Sequence, residues 1–465
     1  MTCRNEQSAH TPSTALHRKL SSFGVLLLTL SCLSPVYSIF GIGPDVLQHA
    51  GTGAAAMFLG GIAVAVVWAV VYAELAAAYP YAGGDYVGVG SILGPWAGVV
   101  SLTAWAATLA PATAFIAKSV ATYVADFTPG VSPVVITFAA LGAAVVIALL
   151  SVRTSALVTG IFLALEMLAV LALVGAGCGH PVRSLGSVLA HPMVLGANGA
   201  LGPTALAAMA LAGVSAAYAT CGGNQAVAFG EELIDPHRHM GGVILAAGLI
   251  GAVATALPVI GVVLGAPDLP TILSSPAPIS TFFAAVAGST AGRAMSAGVA
   301  LAIFNALIAQ VMFFARLLFS LGRDEIFHQR VNSWLARVHG ASGSPRTATG
   351  LVGALSAACC LLDAHTLIVF SSGLVVYTLA LVSYAVLVGR RRGLTGQPGY
   401  WRSRWFPLAP ILGLLLAVAF AVADLVDADA GRPSLILLGV LIAAALCWHH
   451  WVLKRRAGGW TPRLG

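Results

Sequence analysis

Two short stretches of this chain carry residue types that interrupt helices, and chemistry is to be sought there first. One reads Ser34-Pro35-Val36-Tyr37-Ser38. Pro35 removes a backbone donor and crowds the preceding turn, while the Ser34 and Ser38 hydroxyls can serve the groups it frees. The other reads Tyr218-Ala219-Thr220-Cys221-Gly222-Gly223-Asn224. Its paired glycines each lower helix propensity by about 1 kcal/mol. A broken helix bares N–H groups at one new end and C=O groups at the other, so an anion suits the first and a cation the second. Tyr218, just before the break, can close over a ligand, and the Asn305 amide stands in a long apolar run. Glu166 lies inside Leu163-Ala164-Leu165-Glu166-Met167-Leu168. A carboxyl there must be paired, wet or protonated, which makes it a proton-handling candidate or a neutral structural group. Lys118 is the basic counterpart; it can snorkel to a polar boundary, pair with Asp126, or guard access.

The elements that must hold these residues follow from composition. Of 465 residues, 58% are apolar and 8% charged, against about 25% charged in a soluble domain. Mean hydropathy is +0.92. Such a chain is too apolar to be disordered. Its seven cysteines are scattered without a CxxC pair and read as small packing residues, not as a disulfide scaffold. Apolar runs long enough to cross a bilayer lie at about 20–47, 53–79, 96–125, 131–151, 155–177, 204–229, 240–265, 293–321, 347–363, 366–389, 406–426 and 434–453, twelve in all. Their Gly- and Ala-rich texture suits close helix packing in lipid rather than a β-barrel.

An even number of spans puts both termini on one side. With that side cytoplasmic, only Arg183, Arg293 and Arg432 fall outside and Lys118 stands within span 3; every other Lys and Arg is inside. The net charge of +7 therefore reports orientation, not a nucleic-acid footprint. Residues 1–19 are expected to form a polar cytoplasmic tail, uncleaved because no A-x-A-like site follows the first apolar run.

A packed kink explains either break alone. Together they fall in spans 1 and 6, and a five-span offset inverts the second unit relative to the first. That is the layout of two inverted five-span repeats whose broken helices meet near mid-membrane. A zwitterionic α-amino acid offers both charges that such a pair of breaks accepts.

Three ordered motifs give the chain a family likeness. Tyr72-Ala73-Glu74-Leu75-Ala76-Ala77-Ala78-Tyr79-Pro80-Tyr81-Ala82-Gly83-Gly84-Asp85-Tyr86 closes span 2, Phe229-Gly230-Glu231-Glu232-Leu233-Ile234-Asp235-Pro236-His237-Arg238 follows span 6, and Ala315-Arg316-Leu317-Leu318-Phe319-Ser320-Leu321-Gly322-Arg323-Asp324 ends span 8. In them the sequence resembles the amino acid–polyamine–organocation (APC) superfamily of permeases. The resemblance implies an all-α integral membrane protein with twelve transmembrane helices. Its fold would be a LeuT-type 5+5 inverted repeat with discontinuous helices 1 and 6, working by alternating access. Span 1 departs from the family, since many members carry Gly-Ser/Thr-Gly where this chain has Ser34-Pro35-Val36-Tyr37-Ser38.

The expected organisation is a tail over 1–19, a ten-helix core over 20–390, peripheral helices 11 and 12 over 391–453, and a cytoplasmic tail over 454–465. The expected substrate-binding residues are Ser34, Pro35, Val36, Tyr37, Ser38, Tyr218, Thr220, Cys221, Gly222, Gly223, Asn224 and Asn305. Glu166 and Lys118 are coupling candidates; by rough alignment Glu166 stands where some family members carry a lysine tied to proton coupling. Glu74, Arg153, Arg323 and Asp324 are candidates for a cytoplasmic gate. The expected function is secondary active transport of amino acids or related amines, as proton symport or as exchange, at the plasma (inner) membrane. The partners expected are that small molecule, protons and membrane lipid, with no nucleic acid. The Arg390–Arg392 run reads as a positive-inside anchor. No HExxH or Walker A sequence occurs, so no metal, cofactor or ATP drive is expected. A non-transporting sensor stays open, and a membrane-embedded enzyme would need more convergent polar residues at one depth than Glu166 and Lys118 supply.

Overall fold

Prolines punctuate the helix starts. Pro44, Pro95, Pro236 and Pro278 each occupy a first-turn position, where the missing N–H would have had no helical partner. The computed structural model of the protein describes residues 20–81, 83–150, 156–196, 198–337 and 345–455. Its helices that matter below are α1 (Ser22–Leu33), α2 (Gly43–Ala50), α3 (Ala54–Ala78), α4 (Asp85–Leu93), α5 (Pro95–Val124), α6 (Pro133–Leu150), α7 (Ala156–Gly179) and α8 (Leu206–Thr220). They continue as α9 (Pro236–Gly265), α10 (Pro278–Ala287), α11 (Ser289–Arg323), α12 (Arg346–Cys359), α13 (Ala364–Arg391), α14 (Leu408–Val426) and α15 (Gly431–Trp448).

Among the described residues, nine stretches are long and apolar enough to cross a membrane, where the sequence led us to expect twelve. Two causes account for the difference. The helix α12 is 14 residues long, below a full crossing, and α6 runs to the edge of the described residues at Leu150. The first stretch, Ser22–Ala78, is 57 residues long, about 85 Å if straight and far more than one bilayer needs. It turns at Gly51, whose φ of +57° places it in the left-handed region and whose missing Cβ leaves room for the Met193 carbonyl.

The helix α13 serves as a ruler for this turn. Near its start His365 bonds Asp45 on α2, and near its end Arg390 bonds Glu74 on α3. Those two positions are about 38 Å apart along a helix, so the chain traverses the bundle between Asp45 and Glu74. The bundle thus has an Asp45 end and a Glu74 end.

A two-stranded antiparallel hairpin, Met193–Leu195 with Leu201–Pro203, sits in the connection between α7 and α8. It departs from a purely helical expectation, and Thr52 anchors it by accepting from the Met193 N–H at 2.8 Å. The long helices α7 and α9 meet through small residues: a Cβ on Gly177 would strike the Gly261 backbone, and one on Gly265 would lie 2.7 Å from the Gly177 carbonyl oxygen.

Candidate functional site

Both suspected breaks are real interruptions. After α1 the chain passes Ser34 at φ +39°, makes one short turn over Pro35–Tyr37, widens into a π-helical turn over Ser38–Ile42, and resumes as α2. Ser34 bridges the gap: its hydroxyl oxygen accepts from the Tyr37 N–H and its own N–H reaches the Leu30 carbonyl. The second interruption follows α8. Cys221 is extended, and the chain continues as a 3-10 helix over Gly223–Phe229. The glycines here are packing requirements as well as breaks. A Cβ on Gly222 would strike the Leu33 side chain at the end of α1, and one on Gly223 would lie 2.6 Å from the Ile244 carbonyl oxygen of α9. Thr220 bonds back to the Ala216 and Ala217 carbonyls, closing the end of α8.

A cavity of about 90 Å³ lies where the two breaks meet. That is room for about three water-sized volumes. Tyr37 and Ser38 enter it from the first break, and Tyr218, Cys221, Gly222 and Asn224 from the second. Of the other expected binding residues, Ser34, Pro35, Val36, Thr220 and Gly223 stand behind the wall and shape the backbone, and Asn305 does not line the cavity. The amide that does come from α11 is Gln310, with Ala306, Phe313 and Phe314 beside it. Trp68, Trp105, Thr108 and Gln225 complete the polar and aromatic lining. Periodicity marks Gln310 as polar in an apolar run just as it marks Asn305, but the sequence does not fix which face of α11 points inward. Trp68 donates to the Asn224 amide oxygen at 3.3 Å and stacks on Tyr72 at 4.9 Å, so the second break is held from α3.

Glu166 joins this site from behind. The carboxyl is 2% exposed, and hydrogen-bond donors of the Ser34 side chain and the Val36 backbone approach it. Its Oε2 has no partner among the described residues. The carboxyl therefore touches the first break directly, although about 130 residues separate the two in sequence. Lys118 is elsewhere, lining two cavities toward the Asp45 end.

Toward the Glu74 end the central cavity shares Trp105, Asn224, Gln225 and Phe313 with a vestibule of about 280 Å³. Arg316, Arg323 and Asp85 line that vestibule. A single oxygen of Asp85 accepts from Tyr72 at 3.0 Å, Trp105 at 3.1 Å and Ser101 at 3.3 Å. Burial pushes the Asp85 carboxyl above the usual range, against the pull of these donors. Toward the Asp45 end the path is shut. Tyr123 donates to the Phe40 carbonyl at 2.6 Å and meets its ring edge-on, and Tyr37 meets Phe115. Beyond them a cavity of about 170 Å³ shares no lining residue with the central one. His365 contacts Asp45 at 2.8 Å and stacks on His49 at 4.2 Å. The ligand atoms of these three residues lie within 4.8 Å of one another, a set able to hold a divalent cation. The spacing of these residues in sequence gave no hint of it, because they come from two distant segments.

The expected cytoplasmic gate residues do not form one cluster. Glu74 takes both Arg390 Nε (2.8 Å) and a terminal guanidinium nitrogen (2.9 Å), and also accepts from Thr395 and the Ser403 N–H. Arg390, read in sequence as an anchor, is thus the partner of a buried carboxylate. Arg323 lies 3.6 Å from Asp324, whose other oxygen accepts from Tyr86 at 2.8 Å. Arg153 lies outside the described residues.

A family model described as amino acid permease matches residues 20–445. No curated protein matches the chain significantly.

Proposed function

The chain belongs to the amino acid permease family, whose model covers most of its length, and from that premise we propose a proton-coupled transporter of small amino acids with uncharged side chains. One observation carries the choice of cargo. No Asp, Glu, Lys or Arg lines the central cavity, while the backbone of two broken helices does. Such a site pairs a carboxylate with N–H groups and an ammonium with C=O groups, and has no counter-charge for a third charge on the solute. The small volume favours glycine- or alanine-sized cargo.

The proton reading rests on Glu166. Ionised, its carboxylate accepts from Ser34 and the Val36 N–H; protonated on Oε2, it no longer needs them equally, and the first break is free to rearrange. The proton thus acts on the same backbone that holds the substrate. The proposed architecture is twelve crossings in two inverted sets of five plus two. Both termini are cytoplasmic and the protein sits in the plasma membrane, so the Glu74 end faces the cytoplasm and the described conformation faces inward. No enzymatic step is part of this reading.

The test is uptake into proteoliposomes. Labelled alanine or glycine is expected to accumulate when the outside is made acidic, and lysine and glutamate are expected not to compete. Accumulation that needs a second amino acid inside, and ignores the pH gradient, would establish exchange instead. Glu166→Gln is expected to abolish pH-driven accumulation while sparing counterflow. A variant with the wild-type pH dependence would remove Glu166 from coupling.

A further inference from the structure

At the Asp45 end lies a cavity of about 590 Å³ between α5, α6, α10 and α11, beside the small cavity beyond the aromatic seal, with which it shares Lys118, Thr122 and Pro276. Its lining includes Lys118, half-buried, and Arg293, exposed at the mouth. No Asp or Glu is among its described lining residues, and neither cation has an ion pair among the described residues. Inside, Ser280 is 6% exposed and its hydroxyl oxygen has no hydrogen-bond partner among the described residues. Buried hydroxyls are ordinarily satisfied, and this one stands in the wall of a cavity whose charged lining residues are both cations. The buried Ser296 lines the same wall, one helical turn from Arg293. The Arg293 guanidinium lies 5.9 Å from the Phe127 ring centre, which leaves its N–H groups available.

We propose that this cavity binds a phosphate-type oxyanion, either free phosphate or the phosphodiester of a lipid headgroup that carries no compensating ammonium. A guanidinium and an ammonium offer fork and point-charge contacts to such a group, and serine hydroxyls supply neutral donors. The space far exceeds that of a single halide ion, and several donors spread around it match an ion with several oxygens. Lys118 contributes here and to the small cavity beyond the seal, not to the central cavity.

The test is thermal unfolding of the purified full-length protein. Sodium phosphate is compared with sodium chloride at equal ionic strength in detergent. In a second arm, phosphatidylcholine nanodiscs with and without phosphatidylglycerol are compared. Phosphate or phosphatidylglycerol is expected to raise Tm by several degrees in the wild type. The shift is expected to vanish in Lys118→Gln/Arg293→Gln and to persist in Lys118→Arg. A shift with phosphate identifies a free oxyanion; a shift with the anionic lipid alone identifies its headgroup. An equal shift with chloride, no shift in either arm, or an unchanged shift in the double variant overturns the proposal. Should the double variant not fold, Ser280→Val is expected to weaken the shift while leaving basal Tm close to wild type, and an undiminished shift there overturns it as well.

Discussion

Three donors on one carboxylate oxygen make Asp85 the polar hinge of the vestibule, because Tyr72, Ser101 and Trp105 come from two different helices. Replacing it with Asn sets an amide N–H₂ against hydroxyl and indole donors or leaves them unpaired, at a cost of about 1–3 kcal/mol. Asp85→Asn is therefore expected to lower Tm and slow uptake, and an unchanged Tm would show that the three contacts hold nothing. Its pH dependence has a definite sign. Burial raises the folded-state pKa above the ordinary 3.8, so the folded protein holds this proton more tightly than the unfolded chain does. Stability from this group is then greatest below the ordinary value and declines as pH rises toward the raised one. The wild type is expected to lose Tm more steeply than Asp85→Asn over that window. In sequence, Asp85 was visible only as one letter of a motif. Tyr37, Ser38, Tyr218, Cys221, Gly222 and Asn224 were legible because each sits in or beside a break that backbone chemistry announces. Gln310 and Trp105 were not, since a helix that is apolar all round gives no period from which to read its inward face.

At the scale of elements, the breaks were the most legible feature and the span count the least. Proline and paired glycine act locally, so their effect survives whatever surrounds them. Helix length depends on where neighbours end, which is why α12 stops at Cys359, short of the apolar run that suggested it. The contact of Gly177 with Gly261 and Gly265 brings α7, which carries Glu166, against α9. Gly177→Leu is expected to force the two helices apart, since its Cβ alone would strike the Gly261 backbone, reducing folded yield and displacing Glu166 from the first break, so any protein recovered should lose the proposed pH-driven accumulation. Gly298→Leu on α11 is the matched control, since an added Cβ there meets nothing within 4 Å. Equal yields from the two variants would show that the crossing tolerates side chains and that the small residues are incidental. The buried Glu74–Arg390 pair belongs at this scale as well. It ties α3 to the end of α13 and to the segment at Ser403, so the boundary expected at residue 390 is a braced junction. Removing one partner, as in Arg390→Met, leaves a buried carboxylate and is expected to cost about 3–5 kcal/mol, read as a large loss of Tm.

For the molecule as a whole, the asymmetry of access is what the proposed transport cycle has to reverse. The central cavity joins the vestibule at the Glu74 end and is sealed at the other by Phe40, Tyr123 and Phe115. The Asp45–His365 contact lies outside this aromatic seal and bridges α2 to α13. In the proposed cycle, opening that end separates α2 from α13 and breaks the contact, so the contact favours the conformation described. Taken at the surface-pair value of about 1 kcal/mol, this partly buried contact shifts a two-state population by about fivefold. Asp45→Asn is thus expected to raise the population open at the Asp45 end by that factor without destabilising the fold. Thr108 lines the central cavity behind the seal, and a cysteine placed there, with the native cysteines replaced, reports the opening. An impermeant thiol reagent added outside should label it several-fold faster in the Asp45→Asn background. Faster labelling from the inner side instead would reverse the proposed orientation. Equal rates in both backgrounds would show that the aromatic seal alone holds the end shut, leaving the His–Asp contact a consequence of closure and not a cause.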